Sequence, residues 1–130
     1  MTTVVPVTDG EVVSRLLRSY SRQGELYRAL SIVNQKILGK LAVARGDVSI
    51  TLDLFDEKKE ILATIEAERN RIVEEVTVWQ DRKNLIRKKV DTRQLDAALD
   101  TMQQIIGSVI DAEEKLSLYI SDVQVAEKGS

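Results

Sequence analysis

A chain of 130 residues with a formal net charge of −2, 31% charged side chains and only 4% aromatic ones suits a single domain of long amphipathic helices better than a ligand-enclosing globule. It has no His and no Cys, which excludes a histidine phosphotransfer domain, Ser-His and Cys-His nucleophile pairs, and disulfides. The mildly negative balance argues against general affinity for nucleic acid or anionic lipid.

Residues 1–7 read as a loose tail holding the only proline, Pro6, and lack the positive region and long apolar run of a secretory signal. Thr8-Asp9-Gly10-Glu11 offers a capping box, with Thr8 accepting from the Glu11 amide and Glu11 reaching back. Beyond it Leu16, Tyr20, Gln23, Tyr27, Leu30, Asn34, Ile37, Leu41 and Ala44 recur at alternating spacings of four and three. That heptad seam predicts a first helix over about 9–45, running through Gly24 and Gly39. Gly46 suits the left-handed residue that closes a helix, and Asp47 the cap of the next.

A second stripe follows: Thr51, Phe55, Lys58, Leu62, Ile65, Arg69, Ile72, Val76, Trp79, Lys83, Ile86 and Val90. It predicts one helix over about 48–89, roughly 60 Å long at ~1.5 Å per residue. Asp91-Thr92-Arg93-Gln94 repeats the capping logic, with Asp91 as cap, though no Gly or Pro marks the turn and a continuous helix is the competing reading. The third stripe, Leu95, Leu99, Met102, Ile106, Val109, Glu113, Leu116, Ile120 and Val123, predicts a helix over about 92–125, with 126–130 as a fraying tail.

Connections this short require antiparallel neighbours. The expected architecture is therefore all-α: one domain, an elongated antiparallel three-helix bundle with coiled-coil-like packing. Its core is a thin aliphatic seam that a homodimer or a bound partner helix would enlarge. Gln23, Asn34, Lys58, Arg69 and Lys83 fall on apolar phases, either fixing register and snorkelling or belonging to a stripe that faces a partner.

The longest apolar run, Leu41-Ala42-Val43-Ala44, is far too short to span a membrane, and a cytoplasmic protein is the default expectation. The acidic groups Asp53, Asp56 and Glu57, Glu74 and Glu75, and Glu113 and Glu114 read as solvated faces; with no Glu-x-x-His pair, neither a metal site nor a cofactor nor catalysis is expected. The basic cluster Arg82, Lys83, Arg87, Lys88, Lys89 and Arg93 lacks interleaved aromatic readers other than Trp79, and it complements the macrodipole at a helix end.

The end of the third helix is apolar on more than one face. Leu116, Leu118, Tyr119, Ile120 and Val123 form the candidate partner-binding set, with Val125 beside them. Core packing accounts readily for Leu116, Ile120 and Val123. Leu118 and Tyr119 are harder to place inside, and Tyr119 is the best anchor because tyrosine buries area at small entropic cost.

From Leu26 to Ile65 the chain reads LYRALSIVNQKILGKLAVARGDVSITLDLFDEKKEILATI. This resembles the FlgN family of flagellar (type III) export chaperones, and more distantly FliT-type chaperones. The resemblance is carried by the leucine-spaced first helix, the turn at Ala44, Gly46 and Asp47, and Lys58, Lys59, Glu60, Ile61 and Leu62 in the helix after it. It covers about a third of the chain, and the third helix contributes little to it. It implies a protein that holds hook–filament junction subunits in the cytosol and delivers them to the export gate. The implied mechanism is stoichiometric binding of the client's amphipathic terminal helix, without ATP. The alternative is a structural coiled-coil adaptor or oligomeric spacer with no secretion role.

Overall fold

The computed structural model describes the backbone of residues 8–43 and 48–128, and the side chains of residues 8–43 and 49–121. Every regular element among them is helical: α1 (Asp9–Val43), a 3-10 turn (Val48–Thr51), α2 (Leu52–Arg71), α3 (Val73–Lys89) and α4 (Arg93–Lys128). The expected turn at Gly46-Asp47 and the tail 1–7 lie outside the described residues. Helix α4 runs on to Lys128, past the expected end near 125.

Helix α1 starts as its sequence dictates. The Glu11 amide donates to Thr8 Oγ1 at 3.2 Å, which provides for one of the donors a helix start leaves without partners, and the Val12 amide makes the first helical bond, to the Thr8 carbonyl at 3.0 Å. The Glu11 carboxylate pairs weakly with Arg15, 3.8 Å away. At the second turn Val90 leaves the helix in an extended conformation, so the chain does bend at Asp91 rather than continue. Asp91 accepts from the Arg93 amide at 3.0 Å and grips its guanidinium at 2.8 Å. Those hydrogen bonds hold the Asp91 carboxyl down at about 2. Thr92 directly precedes the helix. Its hydroxyl donates to Asp96, four residues on, at 3.1 Å.

The expectation of one helix over 48–89 needs correction. A 3-10 turn opens the segment, and the helix is interrupted at Ile72, so the described residues form four α-helices where three were expected. Ile72 sits near the bridge region (φ −111°, ψ 14°), and its amide turns back to the Arg69 carbonyl at 3.3 Å. Asn70 followed by the β-branched pair Ile72-Val73 is weak helical sequence, and it lies where the interruption falls. The buried stripe nevertheless keeps its phase across the break: Ile65, Glu68, Ile72, Glu75, Trp79 and Ile86 are all buried.

Helices α2 and α3 run back along α1, and α4 returns along it. The core is a line of three clusters. Val12, Val13 and Leu16 meet Ile72, Trp79, Ile86 and Leu95 at one end. Leu30, Ile65 and Val109 meet at the middle. Val33, Ile37, Leu41 and Leu116 meet at the other end, with Phe55 and Tyr119 packed against them. Helices α1 and α4 contribute to all three, and α1 is the central element because it alone of the α-helices packs against each of the others among the described residues.

Candidate partner-binding surface

Helix α1 packs against every other helix, but no Cα of α4 comes within 8 Å of a Cα of α2 or α3 among the described residues. Two helices in ordinary contact approach more closely than this. Only side chains span the gap: residues of α4 and of α2–α3 share the core clusters against α1, and two polar bridges lie toward its ends. At one end Glu113 of α4 takes Asn34 Nδ2 of α1 at 2.9 Å on one oxygen and Lys58 Nζ of α2 at 2.6 Å on the other. At the other end Arg87 pairs with Asp96 at 2.9 Å while lying over the Trp79 ring, 5.5 Å from its centroid.

Between these bridges lies an open groove of about 960 Å³. Tyr20, Gln23 and Tyr27 of α1 form its floor. Leu62, Ile65, Val73 and Val76 supply one wall, and Leu99, Met102 and Ile106 the other, with polar residues such as Glu66, Arg69 and Gln103 among the rest. Leu62 and Val73 are 44% and 54% exposed, although both stand beside the buried seam. A helix that met α4 directly would cover them.

The polar residues on apolar phases divide between core and surface. Asn34 and Gln23 are each 2% exposed; Gln23 donates to Ser19 Oγ at 3.1 Å, and Asn34 Oδ1 has no partner. Lys58 is largely enclosed against Glu113, so Asn34 and Lys58 tie helices to one another in a fixed register, whereas the Gln23 bond stays within α1. Arg69 and Lys83 are exposed. Sequence periodicity missed Glu68 and Glu75, both buried carboxylates in a second, polar depression of about 570 Å³ between α1 and the α2–α3 junction. Glu68 is held by Arg22 at 3.3 Å and Arg71 at 3.4 Å, and Glu75 by Arg15 at 3.3 Å. Arg15 and Arg22 were the signal, since they meet these acids only once α1 is set antiparallel to α2 and α3; Arg71 is three residues from Glu68 on the same helix.

The residues selected at the end of α4 have different positions. Leu116 is 3% exposed and belongs to the core; Ile120 packs at its margin. Tyr119 is half-buried and donates its hydroxyl to the Leu41 carbonyl at 3.2 Å, near the end of α1. Leu118 is 64% exposed and faces away from the core. The side chains of Val123 and Val125 lie outside the described residues. The structure thus brings Leu116, Tyr119 and Ile120 together against α1 and leaves Leu118 outward.

In the basic cluster, Arg82 reaches Asp9 at 3.5 Å, Arg87 reaches Asp96 and Arg93 reaches Asp91, so half of its six cations have intramolecular partners. Among the described residues no set of three or more acidic side chains is disposed to hold a metal ion, and no helix is long and apolar enough to cross a membrane. No protein-family model, curated protein or solved structure matches this chain.

Proposed function

We propose that this protein is a FlgN-like export chaperone of the cytoplasm, which binds an amphipathic terminal helix of a flagellar hook–filament junction subunit and delivers it for secretion. In this reading α2 and α3 act as one antiparallel rod, and the fold is an elongated three-helix bundle whose fourth corner is vacant. The observation that carries the reading is the apolar groove between α2–α3 and α4. One client helix laid there would cover Leu62, Val73 and Ile106 and complete a four-helix arrangement. No chemistry is required of the chain, since the client is held and not altered.

Among the described residues the chain's own surface supplies no occupant. Its exposed large apolar residues are scattered, and on α4 the pair Ile110 and Leu118 is interrupted on the same face by Glu114. A helix with apolar residues every three and four positions fits the groove better.

The test is co-purification of the tagged protein with hook–filament junction subunits from a motile source. Junction subunits are expected to be retained by the unmodified chain. The variants Leu62→Glu and Ile106→Glu place a charge in each wall, and each is expected to weaken retention by about 10- to 100-fold, the value of one buried aliphatic side chain. Circular dichroism of both variants should be unchanged. Retention of no junction subunit from a lysate that contains them would remove the chaperone reading.

A further inference from the structure

The groove is apolar in its walls but not in its floor. Tyr20, Gln23 and Tyr27 lie on one stripe of α1, spaced three and four apart, and all three line the depression. Neither tyrosine hydroxyl makes a hydrogen bond among the described residues, and Gln23 uses only one amide hydrogen, toward Ser19. This differs from Tyr119, whose hydroxyl is engaged by Leu41. Burial of Tyr20 pushes its phenol above the ordinary value of 10.0, so it remains a neutral O–H donor. A purely apolar helix seated on this floor would cut the two half-buried tyrosine hydroxyls off from water without giving them partners. Each such loss is costly.

We infer that the partner of this groove is an amphipathic helix whose buried stripe is itself interrupted by polar side chains, such as Asn, Gln, Ser or Thr, seven residues apart and in register with Tyr20 and Tyr27. This rests on the helix-binding reading above and specifies the occupant. Seven residues are two turns, close to 10.5 Å at ~1.5 Å per residue, so polar groups on a partner helix running alongside α1 meet the two tyrosines in either direction. Gln23 lies between them and can donate or accept. On the α2 rim Glu66 and Arg69, three residues apart, have no ion pair among the described residues; a base and an acid at matching positions of the occupant would pair with them. The floor thus acts as a specificity filter: apolar walls give affinity, and the tyrosines select helices with the matching polar pair.

Two synthetic helical peptides of about 18 residues test this, a length of about five turns that exceeds the wall from Leu62 to Val76. One carries an all-leucine stripe; the other has Asn at two stripe positions seven apart. Binding of each is measured by calorimetry to the unmodified chain, to the double variant Tyr20→Phe/Tyr27→Phe and to Leu62→Glu. The double variant keeps the ring volume and removes only the hydroxyls. It is expected to lose about tenfold affinity for the Asn-bearing peptide, two neutral hydrogen bonds at the modest end of their range, while its affinity for the all-leucine peptide holds or rises. Equal changes for both peptides, with binding still abolished by Leu62→Glu, would overturn the filter and leave the groove intact. Failure of the Asn-bearing peptide to bind, or binding indifferent to Leu62→Glu, would remove both the filter and the groove as its site.

Discussion

Glu113 ties the three passes of the chain together at a single point. One carboxylate oxygen holds Asn34 of α1, the other holds Lys58 of α2, and Glu113 itself sits on the α4 seam. Asn34 is fully buried and Lys58 nearly so, with its side chain 13% exposed, whereas Glu113 is 37% exposed. Removing the acid alone therefore leaves two enclosed donors without a partner. Glu113→Ala is expected to cost about 1–3 kcal/mol, toward the lower end because water reaches the carboxylate. The triple variant Asn34→Leu/Lys58→Met/Glu113→Leu replaces the whole polar cluster with apolar groups of similar size, and it is expected to be neutral or stabilising. Urea unfolding of both proteins checks the pair of outcomes. A triple variant less stable than Glu113→Ala would mean that the cluster stabilises beyond merely being satisfied. Either way, an apolar replacement loses the geometric restriction that a three-way hydrogen-bonded clamp imposes.

The helix interiors carry glycines that do not serve packing. An added Cβ at Gly39 or Gly107 meets nothing within 4 Å, and both lie inside helices α1 and α4. Replacing either by Ala is expected to stabilise the protein by about 1 kcal/mol, a rise of a few degrees in Tm, measured by thermal scanning. Gly24 is different, since a Cβ there would touch Ile105 at 3.8 Å, an ordinary contact between α1 and α4. Reading these elements from sequence succeeded where one stripe fixes one face: Leu16, Leu30, Ile37 and Leu41, and Leu95, Met102, Val109 and Leu116, are buried as their spacing requires. The break at Ile72 was not legible, because the buried stripe passes through it unshifted and no Gly or Pro announces it. The groove was illegible for another reason. Periodicity gives the phase of each helix about its own axis but not the distance between axes, and it is that distance that leaves Leu62 and Val73 open while Ile65 and Ile72 are covered. Leu118 and Tyr119, alike in sequence as surplus apolar residues, are told apart only by the Leu41 carbonyl that lies within reach of one of them.

On the scale of the molecule, the arrangement is asymmetric in a way that predicts its dynamics. Helix α1 is supported by α2, α3 and α4 along its length, whereas α4 is supported by α1 and, among the described residues, is joined to the other two through side chains alone. Local opening follows the density of buried apolar contact. Backbone amides in the middle of α1, around Leu30 to Ile37, should therefore exchange with solvent slowest. Those on the groove side of α2–α3, from Leu62 to Val76, and of α4, from Leu99 to Ile106, should exchange sooner. Occupation of the groove by a helix changes this order selectively. It buries Leu62, Val73 and Ile106 and adds apolar contact to both walls, so the gain in protection belongs to the two walls, while α1, already protected, gains little. At a hundredfold excess over Kd the whole fold is stabilised by about 2.7 kcal/mol, which sets a uniform background against which a wall-specific increase stands out. Hydrogen exchange read by mass spectrometry, with and without a bound amphipathic helix, measures both terms. Extra protection confined to Leu116–Ile120 instead would move the contact surface from the groove to the end of α4, where Leu118 is the exposed residue that would receive it.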